Sequence, residues 1–214
     1  MMNDIVLVTT IFDASKKYLD DFFKSLEYQS ENKFDVLVVN DGVEKFDLFK
    51  DKFPNLNIIE FNCSKSPAKN RQVGISLAKN RKYKKIIWGD SDDFFPENRI
   101  YEISKLLDSY NIVANDLHSY ENGKIKKNLF GNLYEEGLYN LDDIIDKNII
   151  GFSNLGVNSK IIPDNINFSD DLIAIDWFFA TILLLNNNEF FFTKKTYSFY
   201  RQHENNTIGA NCLI

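Results

Sequence analysis

Three carboxylates fall within four residues at Asp90-Ser91-Asp92-Asp93, directly after the apolar run Lys85-Ile-Ile-Trp88. Crowded acids repel one another and are poor strand formers. A cation or a polyhydroxylated ligand between them would hold them together, and a divalent metal bridging to phosphate oxygens fits best. The plainer alternative is that Asp93 starts and caps the next helix, with Pro96 in its first turn, while Asp90 and Asp92 decorate a solvated loop. A further acid, Asp176, interrupts the apolar stretch Leu172 to Leu185. Desolvation there raises a carboxyl pKa and makes a usable general base, unless a place near the helix amino terminus offsets it. Trp177 beside it suits a sugar face or, more simply, the core.

His203 lies between Arg201 and Asn206 in a segment too polar for a core, and its imidazole could complete a metal site begun by Asp92. Arg71 comes early on a helix that starts at Pro67 and could pair with a diphosphate or a nucleobase edge; a surface arginine is the equal alternative. Phe12 offers a flat apolar face at a strand end, for a base or for the core. His118 has no supporting context and is assigned no role.

These residues need elements that bring them together, and the hydrophobic pattern supplies them. Ile5 to Val8, Phe34 to Val39, Asn57 to Phe61 and Lys85 to Trp88 are short apolar runs of the kind buried on both faces of a parallel sheet. Between them, Tyr18, Leu19, Phe22, Phe23 and Leu26 recur at helical spacing, and Ser66-Pro67 opens a second helix. Strands alternating with helices indicate βαβ units, in which ligands collect outside the carboxyl ends of the strands. Thr10, Phe12, Asp41 and Asp90 to Asp93 all fall at such ends. Further on, the pattern predicts a helix around Ile100 to Leu107, a strand from Asn111 to Leu117, and a hairpin turn at Glu121-Asn-Gly123 that makes the sheet mixed. It then predicts a short helix capped by Asn140, a strand at Leu155 to Val157, a buried helix from about Asp171 to Leu185, and strands at Phe190 to Thr193 and Tyr197 to Tyr200.

The 214 residues suit one domain, and 44% apolar with 14% aromatic residues is a globular composition. A net charge of −6 without a long basic run argues against a nucleic-acid partner, while Lys82 to Lys85 leaves a small anion or an anionic membrane surface open. Cys63 and Cys212 form no disulfide or zinc pattern. The first residues lack the features of a signal peptide and no apolar run reaches membrane-span length, so the expected location is cytoplasmic, with room for peripheral association at the inner face of a membrane.

Taken in order, Val-Val-Asn-Asp-Gly (38 to 42), Asn-Arg-Gln-Val-Gly-Ile (70 to 75), Gly-Asp-Ser-Asp-Asp (89 to 93), Asp-Trp (176 to 177) and Tyr-Arg-Gln-His-Glu-Asn-Asn-Thr (200 to 207) resemble the family 2 glycosyltransferases from Ile5 to about Thr207. The resemblance implies an α/β GT-A (Rossmann-like) single domain over 1–214. Its mostly parallel central sheet would carry helices on both faces and a small mixed-sheet carboxyl-terminal part. The nucleotide-binding half would be about 1–110 and the acceptor-binding half about 111–214. It also implies an inverting transfer of a sugar from a nucleotide-diphosphate donor, UDP-linked by expectation, to a glycan or lipid-linked acceptor hydroxyl. The role would be in surface polysaccharide or glycoconjugate synthesis. Thr10, Phe12, Asp41, Arg71, Asp90 and Ser91 would bind the nucleotide sugar, Asp92 and His203 would hold Mg²⁺ or Mn²⁺, and Asp176 would be the catalytic base. The chain departs from the family at Thr9-Thr-Ile-Phe-Asp13, where Pro-x-Tyr-Asn is frequent, and at Val43, Gln72 and Ile175, where Ser, Asn and Glu are common. Two rivals stay open: a nucleotidyltransferase making a nucleotide sugar, which lacks its usual glycine-rich phosphate loop here, and a catalytically silent nucleotide- or sugar-binding module.

Overall fold

The computed structural model describes residues 3–126, 129–130, 134–186 and 188–203. Its backbone is one mixed sheet with helices on both faces. In chain order the elements are β1 (Ile5–Phe12), α1 (Leu19–Glu27), β2 (Phe34–Asp41), α2 (Asp47–Lys50), β3 (Asn57–Asn62), α3 (Pro67–Asn80), β4 (Lys85–Trp88), α4 (Arg99–Leu106) and β5 (Ile112–Glu121). They continue with β6 (Lys124–Lys126), β7 (Gly137–Tyr139), β8 (Leu155–Asn158), α5 (Ile175–Leu184) and β9 (Phe190–Arg201). The sheet order is β3-β2-β1-β4-β8-β5-β9-β7, with β6 paired to β5.

Strands β3, β2, β1 and β4 are mutually parallel, as their βαβ connections require. Their apolar runs are unbroken because both faces are covered. Val6, Val8, Leu37 and Val39 pack with Ala68, Ile75 and Ala78 of α3 and Phe179 of α5, whereas Leu7, Val36 and Val38 pack with Phe22 and Phe23 of α1 and Ile100 of α4. The order reverses at β1, whose neighbours are β2 and β4, so the crevice expected at a switch point opens between the ends of these strands. Beyond β4 the sheet is mixed: β8 runs antiparallel to both β4 and β5, and β9 parallel to β5. The β5–β6 turn has positive φ at Asn122 and Gly123, the pattern a two-residue hairpin requires.

Three local expectations change. Helix α4 starts at Arg99, with Asn98 before it, so Asp93 neither starts nor caps it and Pro96 precedes it. The strands expected at Phe190 to Thr193 and Tyr197 to Tyr200 are one strand, β9, bulged at residues 194–196 where the register against β5 jumps from Asn115↔Thr193 to Asp116↔Tyr197. Finally, α5 begins only at Ile175 and is not buried all round. Phe178 is 40% exposed and, with Leu141, Ile145, Leu172 and Trp177, lines a shallow apolar groove on the outer side of α5; Leu185, just past the helix end, is 62% exposed. The chain turns at Asp170 and Asp171 and α5 starts only at Ile175, which leaves Asp176 in the first helical turn. Strand β7 carries too short a pattern to be read from sequence. Among the described residues no helix is long and apolar enough to cross a membrane.

Candidate active site

A crevice of about 370 Å³ lies outside the carboxyl ends of β1, β2 and β4, and its walls include Thr10, Phe12, Asp41, Arg71, Asp90, Ser91, Asp92 and Asp176. Each wall follows from a local rule. Strand β1 runs on to deliver Thr10, buried, and Phe12, whose ring is partly exposed. Strand β2 ends at Asp41, and Gly42 turns the chain with φ +81°, a conformation that L side chains rarely adopt. Asn40 fixes that turn, donating to Val43 O and Glu60 while accepting from the Val43 amide. Ser66 caps α3 by accepting from the Lys69 amide, and Pro67 stands at its first position, so Asn70 and Arg71 arrive in the early turns that face the crevice.

The acidic loop is divided among three environments. Asp90 is paired with Arg71, whose guanidinium also lies 5.2 Å from the centre of the Phe152 ring, and it accepts from Ser153 Oγ at 3.1 Å. Burial pushes the Asp90 carboxyl above its ordinary range, Arg71 pulls it back and Asp92 pushes it further up. Ser91 is buried, and its hydroxyl donates to Thr10 O, tying the loop to β1. Asp92 Oδ2 stands 2.8 Å from His203 Nε2, and the imidazole stacks on Tyr18. Arg201 Nε donates to Asp92 O, which places the end of β9 against the loop.

Asp93 is the correction. It is buried, within hydrogen-bond reach of Ser153 Oγ and accepting from the Arg201 amide, and its pKa is well above the ordinary range because of burial, with Asp92 and Asp90 adding to the rise. Below it lies Arg99, fully buried, which donates to Trp88 O, Ser153 O and Asn115 Oδ1 and faces Phe95 at 4.3 Å. Burial lowers its pKa to about 9 against the upward pull of Asp93 and Asp90.

Asp92 and His203 offer one hard oxygen donor and one borderline nitrogen donor. This set fits Mg²⁺ or Mn²⁺, ions that take few protein ligands and complete their shell with water and phosphate oxygens. Among the described residues no group of three or more His, Cys, Asp or Glu side chains forms a metal cage. Residues 204–207 of the last sequence motif, with Asn206 and Cys212, lie outside the described residues.

Asp176 closes the crevice from the other side. Its Oδ1 accepts from the Trp177 amide at 2.8 Å and from Asn148 Nδ2 at 3.3 Å, while the Trp177 indole donates to Ile144 O and faces the α5 groove. Burial raises the Asp176 pKa; the Trp177 amide, Asn148 and Arg71 oppose the rise, and Asp90 adds to it. Gly151 makes room, since a Cβ there would lie 3.2 Å from Asp176 Oδ2. Gly151→Ala is therefore expected to displace the carboxylate. Any turnover that depends on Asp176 should fall about tenfold, in line with the sensitivity of catalysis to small displacements, while nucleotide affinity measured by calorimetry stays unchanged.

Asn148, Phe152, Ser153, Asn154, Tyr200 and Arg99 were not singled out from the sequence. Asn148, Ser153 and Asn154 had a signal: polar side chains recurring in the apolar stretch 148–157 must find buried partners. Arg99 had none, because a buried and a surface arginine look alike in sequence.

A family model described as glycosyl transferase family 2 matches residues 6–161. Among solved structures, S. aureus TarS 1-349 in complex with UDP-GlcNAc superposes with a TM-score of 0.74 at 20% identity, over 95% of this chain and 60% of that one. Mannosyltransferase PcManGT from Pyrobaculum calidifontis, in complex with GDP-Man and Mn²⁺, gives 0.71 at 10% identity, over 97% of this chain and 59% of that one. GalNAc-T7 with UDP, GalNAc and Mn²⁺ gives 0.67 at 9% identity, over 94% and 44%. The chain thus spans 60% or less of the length of each of these three, and at such identities the likeness establishes the GT-A fold alone. No curated protein sequence matches significantly.

Proposed function

The chain belongs to glycosyl transferase family 2, and from that premise we propose that it is an inverting glycosyltransferase. It would move a sugar from a nucleotide-diphosphate donor, UDP-linked, to a glycan or lipid-linked acceptor in surface polysaccharide or glycoconjugate synthesis. One observation carries this reading: Asp41, Arg71, Asp90 and Asp92 gather on one wall of the crevice and Asp176 on the other. The solved relatives that bind UDP-GlcNAc or GDP-Man support the donor class.

On this reading Thr10, Phe12 and Asp41 hold the base, Asp90 and Arg71 lie along the ribose and diphosphate, and Ser91 keeps their loop on β1. Asp176 takes the proton of the acceptor hydroxyl as its oxygen attacks the anomeric carbon. The bond from that carbon to the diphosphate breaks on the opposite face, so configuration inverts. When bound, Mg²⁺ or Mn²⁺ held by Asp92 and His203 would supply positive charge for the departing diphosphate. Phe152, Ile173, Ile175 and Tyr200 add a largely apolar wall beside Asp176. All four follow residue 150, which supports an acceptor-binding role for the later half of the chain. Such a wall suits the apolar face of a sugar ring.

The test is a screen of UDP- and GDP-sugars for hydrolysis with Mg²⁺ or Mn²⁺ against chelator. The expected result is cation-dependent release of UDP from at least one donor, lowered at least about tenfold in Asp92→Ala. Release of pyrophosphate from UTP and a sugar phosphate would instead identify a nucleotidyltransferase, and nucleotide binding without turnover of any donor would leave a binding module.

A further inference from the structure

Resting on the reading of Asp176 as the general base, we propose that Asn148 is its positioning residue. Asn148 holds the carboxylate by Oδ1, so that Oδ2 is the oxygen left to take the proton.

The two oxygens of Asp176 are not equivalent. Oδ1 receives both available donors, the Trp177 amide from its own helix and the Asn148 side chain from the loop before β8. Oδ2 has no hydrogen-bond donor among the described residues, and the wall beside it is Gly151, which has no side chain to fill the space. A carboxylate held at one oxygen and open at the other can receive a proton in a defined direction.

Asn148 stands on a rigid support. It is 7% exposed, and the loop that carries it is pinned by Asn154, itself 0% exposed. Asn154 donates to Ile149 O and Asn115 O and accepts from the Gly151 amide, so one buried side chain fixes both Asn148 and Gly151 relative to β5. The other atom of the Asn148 amide, Oδ1, is buried and has no hydrogen-bond partner among the described residues. An unsatisfied buried acceptor is unfavourable, and turning the amide over would aim that acceptor at a carboxylate oxygen. The orientation seen therefore serves Asp176 at the expense of Asn148. The charged groups acting on Asp176 are Arg71 of α3 and Asp90 of the loop after β4, with opposing effects, and Asn148 adds a neutral donor that favours the ionised form against burial.

The deciding measurement needs no substrate. In protein labelled with ¹³C at aspartate carboxyls, the Asp176 resonance is the one lost in Asp176→Asn, and its titration is followed in wild type and in Asn148→Leu. Removing a donor to the ionised form is expected to raise the midpoint by about one unit; Asn148→Ser, which adds no bulk, should move it in the same direction. In hydrolysis of UDP-glucose, UDP-galactose and UDP-GlcNAc, Asn148→Leu should then lose more than about tenfold in kcat below the midpoint and keep part of that loss above it, where the ionised carboxylate is no longer held by Oδ1, with KM for the donor unchanged. An unmoved midpoint in both variants, or a kcat equal to wild type above the midpoint, overturns the inference while leaving the base assignment intact. Unchanged turnover in Asp176→Asn overturns both.

Discussion

Asp176→Asn is expected to lower sugar transfer by about 10²- to 10⁴-fold, the usual contribution of a positioned base, while the affinity for nucleotide donor stays at the wild-type value. The substitution keeps Oδ1 as acceptor for the Trp177 amide and the shape of the crevice wall, and removes only the ability to take a proton. The separation of kcat from donor binding is the diagnostic. A variant that transfers at the wild-type rate would remove Asp176 from the mechanism, and one that fails to bind nucleotide would make it a donor contact. The raised pKa adds a pH signature with two parts. Activity should fall on the acid side through a value above the ordinary carboxylate range, because the base must be ionised. Stability should move the other way: the native state keeps the proton to higher pH than the unfolded chain, so the contribution is fully present below the ordinary carboxylate pKa and is lost as pH rises through the raised value. Asn does not ionise, so the Tm of Asp176→Asn should exceed that of wild type at neutral pH, with the gap closing in acid.

Arg99→Leu is expected to be the most damaging single substitution away from the crevice. Arg99 joins the end of β4, the Ser153 carbonyl and Asn115 of β5 beneath Asp93, and its charge is the buried counterpart of the acidic loop. Leu fills part of the space but leaves two carbonyls without their donor and Asp93 without compensation. Breaking a buried charged arrangement costs about 3–5 kcal/mol, which for a chain of this size lowers Tm by roughly 10 °C. Calorimetry measures this directly. The acidic loop should lose its geometry with it, so nucleotide binding should weaken in whatever fraction remains folded. A Tm within about 2 °C of wild type would mean that Asp93 is neutralised by its own protonation and needs no partner.

The parallel part of the fold was legible because its causes are local. Continuous β-branched runs, a Ser-Pro helix start and an Asp-Gly turn each leave a mark within a few residues, and β1 to β4, α1 and α3 lie where that pattern put them. The bulge that unites β9 was not legible, because Lys194 and Lys195 look like an ordinary turn until β5 is seen to pair on both sides of them. The exposed outer side of α5 was not legible either, because a uniformly apolar run carries no information about which side has a neighbour.

The site divides in the same way. Residue type and position at strand ends by themselves determined that Thr10, Phe12, Asp41, Asp90, Ser91 and Asp92 would share one crevice, since a parallel sheet brings all its carboxyl ends to one edge, and the helix start at Pro67 put Arg71 on the same side; Asp93, at the same strand end, is buried outside the crevice lining. Only the tertiary structure decided which acid does what. Asp90, Asp92 and Asp93 are chemically the same in the sequence; Arg71, His203 and the buried Arg99 make them different. Those partners come from α3, the end of β9 and α4, and an environment assembled from such distant segments is fixed by packing and not by neighbours along the chain.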